Sequence, residues 1–61
     1  MASHIPPDAY PVVKLALLKR IKQHLIAAYY GINQGRISEF KNSSLFDAVK
    51  PATLLPDGFP S

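Results

Sequence analysis

Residues 23–42 decide the fold of this chain and read Gln23-His-Leu-Ile-Ala-Ala-Tyr-Tyr-Gly-Ile-Asn-Gln-Gly-Arg-Ile-Ser-Glu-Phe-Lys-Asn42. Two helical segments meet at Gly31, because glycine adopts the left-handed conformation that ends a helix without a Cβ penalty. Asn33 then stands where its side-chain oxygen caps the second segment. The stretch therefore predicts two short helices joined by a tight turn.

The apolar residues of this stretch fall on one side of both predicted helices. Two helices that cross through so short a turn need a small residue where their backbones approach, and Ala27 supplies it. Helical spacing then predicts one inner wedge made of Ile26, Tyr30, Ile32, Ile37 and Phe40. The opposite side of the second helix carries polar, long or small side chains and is expected to face outward.

This arrangement resembles the helix-turn-helix of the phage repressor and Cro class. It is more similar still to a group of short bacterial and phage regulators with an Ile-Ala-(x)-(x)-(x)-Gly-(x)-Asn-Gln-Gly-Arg-Ile-Ser-like stretch. The match covers about a third of the chain and includes the alanine, the turn glycine and five apolar positions. The resemblance implies binding of double-stranded DNA, with the second helix in the major groove.

The resemblance also implies roles for the polar residues of the stretch. Gln34 suits adenine and Arg36 suits guanine or a phosphate, whereas Glu39 would need a base donor such as cytosine. A surface ion pair between Arg36 and Glu39 is the competing assignment. The residues expected to contact bases are Asn33, Gln34, Gly35, Arg36, Ser38, Glu39 and Asn42. Those expected to contact phosphates are Lys22, Gln23, His24 and Lys41.

Prolines near both ends confine regular structure to the middle of the chain and predict an all-α fold of three to four helices. We expect an extended N-terminal arm at 1–10, the helix-turn-helix domain at 11–50 and a Pro-rich C-terminal tail at 51–61. The first helix is predicted from Pro11 to about Ile21. Its connection to Gln23 lacks glycine and proline, so a displaced break and two nearly continuous helices both remain open. A last short helix, 45–49, is expected to begin with a capping box of Ser44 and Asp47.

Apolar residues surround most of the first predicted helix, so it needs cover on more than one side. A 61-residue chain without cysteine has little core of its own, which favours self-association. The sequence predicts a homodimer on an inverted-repeat operator, with recognition helices about 34 Å apart. Its expected interface is Val12, Leu15, Leu18, Leu54, Leu55 and Phe59. The alternative is a tail that serves as an intramolecular lid.

Positive charge is concentrated in the middle of the chain. Lysine and arginine outnumber acidic residues by seven to four, for a net charge of +3. Residues 14–41 contain six of the basic residues and a single acidic one, Glu39. Such a distribution suits a polyanion.

Other classes of function lack the residues that they need. The chain has no cysteine, and its two histidines, His4 and His24, have no partners at ligand spacing, so no metal or other cofactor is expected. No serine has a base, so no enzyme and no small-molecule substrate are predicted. Apolar runs fall far below the roughly 20 residues of a membrane span. The prediction is a cytoplasmic DNA-binding transcriptional repressor. The alternative is a helical protein-interaction module or inhibitor that docks through its first helix and tail.

Overall fold

The computed structural model describes residues 4–60, and within them every regular element is helical. A 3₁₀ turn at Pro7–Ala9 precedes α1 at Tyr10–Leu18, followed by α2 at Gln23–Tyr30, α3 at Gln34–Lys41 and α4 at Ser44–Ala48. The predicted all-α class is confirmed.

One core lies between the first three α-helices. α1 contributes Val13 and Ala16, which are fully buried. Four of the five predicted wedge residues are buried with them, and Tyr30 packs at the edge of the cluster. The buried apolar residues are Ile5, Ala9, Val13, Ala16, Ile21, Ile26, Ala27, Ile32, Ile37 and Phe40.

α1 ends at Leu18, so the prediction that it continues to about Ile21 was wrong. The chain turns at Arg20, whose φ is 65°. The Arg20 N–H donates to the Leu17 carbonyl and the Ile21 N–H to the Ala16 carbonyl, each at 3.0 Å. This pair of bonds is the Schellman pattern, which satisfies the last carbonyls of a helix. Ile21 lies beyond the end of α1 but continues its apolar spacing in sequence, because the side chain folds back onto the core.

The turn between α2 and α3 has the same pattern and lies where it was predicted. Gly31 is left-handed, with φ 66° and ψ 37°. Its N–H donates to the Ala28 carbonyl at 3.2 Å, and the Ile32 N–H donates to the Ala27 carbonyl at 3.0 Å. Ile32 is buried beneath the turn. Ala27, the small residue of this turn, is itself buried.

The segments flanking the helices pack against the core. Before α1, Ile5 is buried, and at the first residue of α1 the Tyr10 ring stacks on Phe40 with 4.9 Å between centroids. After α4, the Ala52 N–H donates to the Pro11 carbonyl at 3.0 Å, and the tail continues across α2 to place the Phe59 ring 4.5 Å from Tyr29. Residues 1–3 and 61 of the predicted arms lie outside the described part of the chain.

α4 begins one residue earlier than predicted, and the expected capping box is absent from it. Ser43 is the N-cap residue, and no side chain caps the helix. The Ser43 hydroxyl instead donates to the Phe40 carbonyl at 2.8 Å, where it satisfies the end of α3. Phe46 anchors α4 edge-on against Phe40, 5.5 Å between centroids, and Lys14 donates its ammonium to the Phe46 carbonyl.

Candidate nucleic-acid interface

The outward side of α3 brings together the residues predicted to contact bases. Ile37 and Phe40 point inward and are buried, which fixes how the helix is rotated about its axis. Ser38 is half-buried, and the other six are exposed: Asn33, Gln34, Gly35, Arg36, Glu39 and Asn42. The side of the helix that the sequence assigned to DNA is therefore open to solvent.

A shallow depression of about 260 Å³ lies at the start of α3 and is lined by Asn33, Gly35, Arg36 and Glu39. The Asn33 side-chain oxygen accepts a hydrogen bond from the Gly35 N–H at 2.7 Å, so the predicted cap is confirmed. A Cβ on Gly35 would lie 3.1 Å from that oxygen. The glycine thus leaves room for the cap and keeps backbone at the surface of the depression.

Arg36 and Glu39 form an ion pair across this depression. One guanidinium nitrogen of Arg36 lies 3.1 Å from Glu39 Oε1, and the two side chains are 44% and 69% exposed. The surface ion pair between Arg36 and Glu39, which the sequence offered as the alternative to DNA contact, is therefore present in the folded chain. Exposed pairs of this kind contribute only about 0.2–1 kcal/mol.

Two of the predicted base-contacting asparagines already bond to their own helix. Asn33 caps α3 through its oxygen, and Asn42 donates its side-chain amide to the Ser38 carbonyl at 3.0 Å. Within residues 4–60, the Gln34 amide makes no intramolecular hydrogen bond. Gln34 is therefore the long amide side chain with both donor and acceptor available to a ligand.

The residues predicted to contact phosphates lie at the start of α2 and the end of α3. Lys22, His24 and Lys41 are exposed, and Gln23 is half-buried. Lys22 occupies the N-cap position of α2, which no side chain caps. The first N–H groups of a helix carry partial positive charge, so this end of α2 is favourable for an anion.

A second depression, of about 200 Å³, adds residues that the sequence did not indicate. His4, Tyr10 and Ser43 line it together with Arg36 and Glu39. The N-terminal segment thus borders the outward side of α3. Sequence spacing gave no signal for this, because the contact depends on how Ile5 packs into the core.

Only part of the predicted dimer interface is exposed. Val12 and Leu15 are half-buried, and Leu55 and Phe59 pack against the core of their own chain. Leu18 and Leu54 are 55% and 80% exposed. These two leucines are the members of the predicted set that a second molecule reaches most easily.

Titratable groups within residues 4–60 form no cluster of three or more possible metal ligands. Burial raises the pKa of the Tyr30 phenol, and the neighbouring Tyr29 and Asp8 raise it further. Tyr30 therefore remains a neutral donor at the edge of the core. No helix in this part of the chain is long and apolar enough to cross a membrane.

Comparison with known proteins gives no match for this chain, whether by protein-family models, curated proteins or solved structures. Function is therefore inferred from the residues and their geometry. The outward side of α3, the uncapped start of α2 and the depression between Asn33 and Glu39 supply that geometry.

Proposed function

We propose that this chain binds double-stranded DNA sequence-specifically, with α2 and α3 as a helix-turn-helix and α3 in the major groove. The observation that carries the proposal is the depression at the start of α3, where Asn33, Gly35, Arg36 and Glu39 meet on an exposed surface. Ile37 and Phe40 are buried on the opposite side of the helix and anchor it to the core. Major-groove recognition uses the first residues of such a helix.

Each polar residue then has a chemical role. Gln34 pairs with adenine through its amide, and Arg36 exchanges Glu39 for guanine or a phosphate. Lys22 and Lys41 neutralise phosphates on either side of the groove, and the uncapped start of α2 assists Lys22. The phosphate contacts would position the chain on the duplex, and the base contacts would read its sequence.

The proposed biological role is a cytoplasmic transcriptional repressor that acts as a homodimer. Leu18 and Leu54 are the exposed apolar side chains from which self-association would start. Sedimentation at micromolar concentration should therefore show a dimer, and Leu18→Lys with Leu54→Lys should give a folded monomer. A parent protein that remains monomeric at millimolar concentration would exclude the dimer.

Selection of bound sequences from random duplexes, followed by titration in increasing salt, tests the proposal. Lys41→Ala should reduce the slope of log affinity against log salt by about one, because one phosphate contact is lost. Lys50→Ala is the matched control, since Lys50 is exposed but lies after α4, outside the proposed interface. Equal slopes for the two variants would contradict the proposed orientation.

A protein-interaction module is the second candidate, and the same exposed leucines favour it. Leu18 ends α1 and Leu54 lies in the tail, the two segments through which such docking was predicted. A folded chain that selects no duplex at low salt would support this function over DNA binding.

A further inference from the structure

A groove with an apolar floor and a basic rim lies where α1, α2 and the tail meet. Ile21, Leu25 and Leu55 provide its apolar surface, while Lys19, Arg20 and Lys22 provide its charges. The groove holds about 580 Å³. This volume falls within the range of about 300–1,000 Å³ typical of small-molecule sites, which are mostly apolar with a few polar groups that orient the ligand.

The turn after α1 builds this groove by sending neighbouring side chains in opposite directions. Ile21 turns inward and is 9% exposed, whereas Lys19, Arg20 and Lys22 remain exposed around it. Leu25 is the third residue of α2, and Leu55 arrives from the tail and packs on the core. Residues 19–25 thus supply the three cations and two of the three apolar residues, and the distant tail adds Leu55.

Arg20, one of the three rim cations, has an unusual backbone conformation. Its φ of 65° lies in the left-handed region, where glycine is favoured and an arginine is strained. The side chain is exposed and adds nothing to the core. A strained residue that the surrounding fold retains is a recurrent feature of binding sites.

The charge of the rim specifies what the groove would accept. Its six lining residues include three cations and no carboxylate. An anionic head group would therefore be attracted to the rim, and the floor would bury an aliphatic chain. A cationic amphiphile would match only the apolar floor. A polar ligand without negative charge would match neither surface.

We propose that this groove binds a single-chain anionic amphiphile, of which a medium-chain fatty acid is the simplest example. Its carboxylate lies among Lys19, Arg20 and Lys22, where the guanidinium supplies a planar pair of donors. Its chain lies on Ile21, Leu25 and Leu55 and removes apolar surface from water.

The groove would also regulate the proposed DNA interface, and this step rests on the proposed function. Lys22 belongs both to the rim of the groove and to the predicted phosphate contacts. A bound carboxylate would neutralise Lys22 and place negative charge beside the start of α2, where a phosphate is expected. Occupancy would therefore weaken binding to DNA.

Titration of the full chain with decanoate below its micelle concentration, followed by methyl NMR, tests the groove without DNA. Saturable shifts are expected at Ile21, Leu25 and Leu55. Decyltrimethylammonium and decyl maltoside carry the same chain with a different head group and should bind more weakly. Equal binding of all three, or shifts centred on exposed Leu18 and Leu54, would overturn the proposal.

Arg20→Gly is the matched variant, because glycine relieves the strained backbone and should leave the chain folded, which the methyl spectrum without decanoate checks. It should weaken decanoate binding about two- to fivefold, the size of one exposed ion pair. Lys50→Ala should leave it unchanged. Unchanged affinity in Arg20→Gly would contradict the assignment of the rim.

A final measurement adds decanoate to the complex of the chain with its selected duplex. The affinity for the duplex should fall about two- to fivefold at saturating decanoate, as expected for the loss of one phosphate contact. An unchanged affinity would refute the regulatory step alone. Failure to bind any duplex without decanoate would instead refute the proposed function, and the NMR result would still decide the groove.

Discussion

Two turns in this molecule share one backbone geometry but differ in the residue at their centre. Before α2, an alanine is followed five residues later by a buried isoleucine, and Arg20 stands between them at φ 65°. Before α3, the same spacing recurs as Ala27 and Ile32, with Gly31 at φ 66°. In both turns the isoleucine N–H donates to the alanine carbonyl at 3.0 Å. Burial of the isoleucine therefore fixes this turn, and glycine only lowers its cost.

The two turns also differ in the side chain that stands at the left-handed position. Gly31 has no side chain, and the turn around it serves to place α3 against α2. Arg20 has an exposed cation, which makes its turn the rim of a groove. The more strained turn is thus the one with a side chain available for binding.

The largest effect is expected at the alanines that the two turns have in common. Ala27 is 4% exposed and Ala16 is fully buried, so neither position has room for a larger side chain. Ala27→Leu and Ala16→Leu should each lower the free energy of unfolding by about 3 kcal/mol, since the added atoms must push the helices apart. Urea denaturation measures this. Parent-like midpoints would mean that the helices do not approach closely there.

Gly31→Val should have the next largest effect. Nothing lies within 4 Å of a Cβ at this position, so the cost comes from the backbone conformation. A β-branched residue at positive φ should lower the free energy of unfolding by about 2 kcal/mol. Gly31→Arg makes this turn chemically like the first and should cost less, about 1 kcal/mol. Equal stability of both variants and the parent would show that this position does not require a left-handed backbone.

Arg20→Gly should give the smallest effect, with the opposite sign. Relief of the left-handed strain exceeds the added freedom of the unfolded chain, so the free energy of unfolding should rise by about 0.5–1 kcal/mol. Thermal denaturation at constant salt checks it. A destabilised Arg20→Gly would show that the arginine side chain stabilises the fold and that backbone strain does not decide the difference between the two turns.

These turns also mark how far the sequence predicts the fold. Gly31, the Asn33 cap and the buried wedge follow from local patterns, because glycine, a capping amide and helical spacing each leave a signal. Arg20 leaves none, since its left-handed conformation results from burial of Ile21. The apolar spacing of Leu17 and Ile21 fits a continuing helix equally well, so the end of α1 was misplaced.

The candidate site divides in the same way. The outward side of α3 follows from its inward residues, Ile37 and Phe40, which are buried as predicted. His4 and Leu55 reach their sites through tertiary packing of the two flanking segments, which no local pattern encodes. Leu55 and Phe59 were predicted at a dimer interface, but they pack on the core of their own chain. Apolar composition indicates that such residues are buried, and not whether the same chain or a second one buries them.

Competition between the selected duplex and random duplex tests most directly whether α3 reads bases. Gln34→Ala and Arg36→Ala should each lose about 1–3 kcal/mol of affinity for the selected duplex and much less for random duplex, because base contacts carry the specificity. Both side chains are exposed, so these variants should keep the parent's fold. Equal losses on the two duplexes, or no loss on either, would contradict the claim that the outward side of α3 reads sequence.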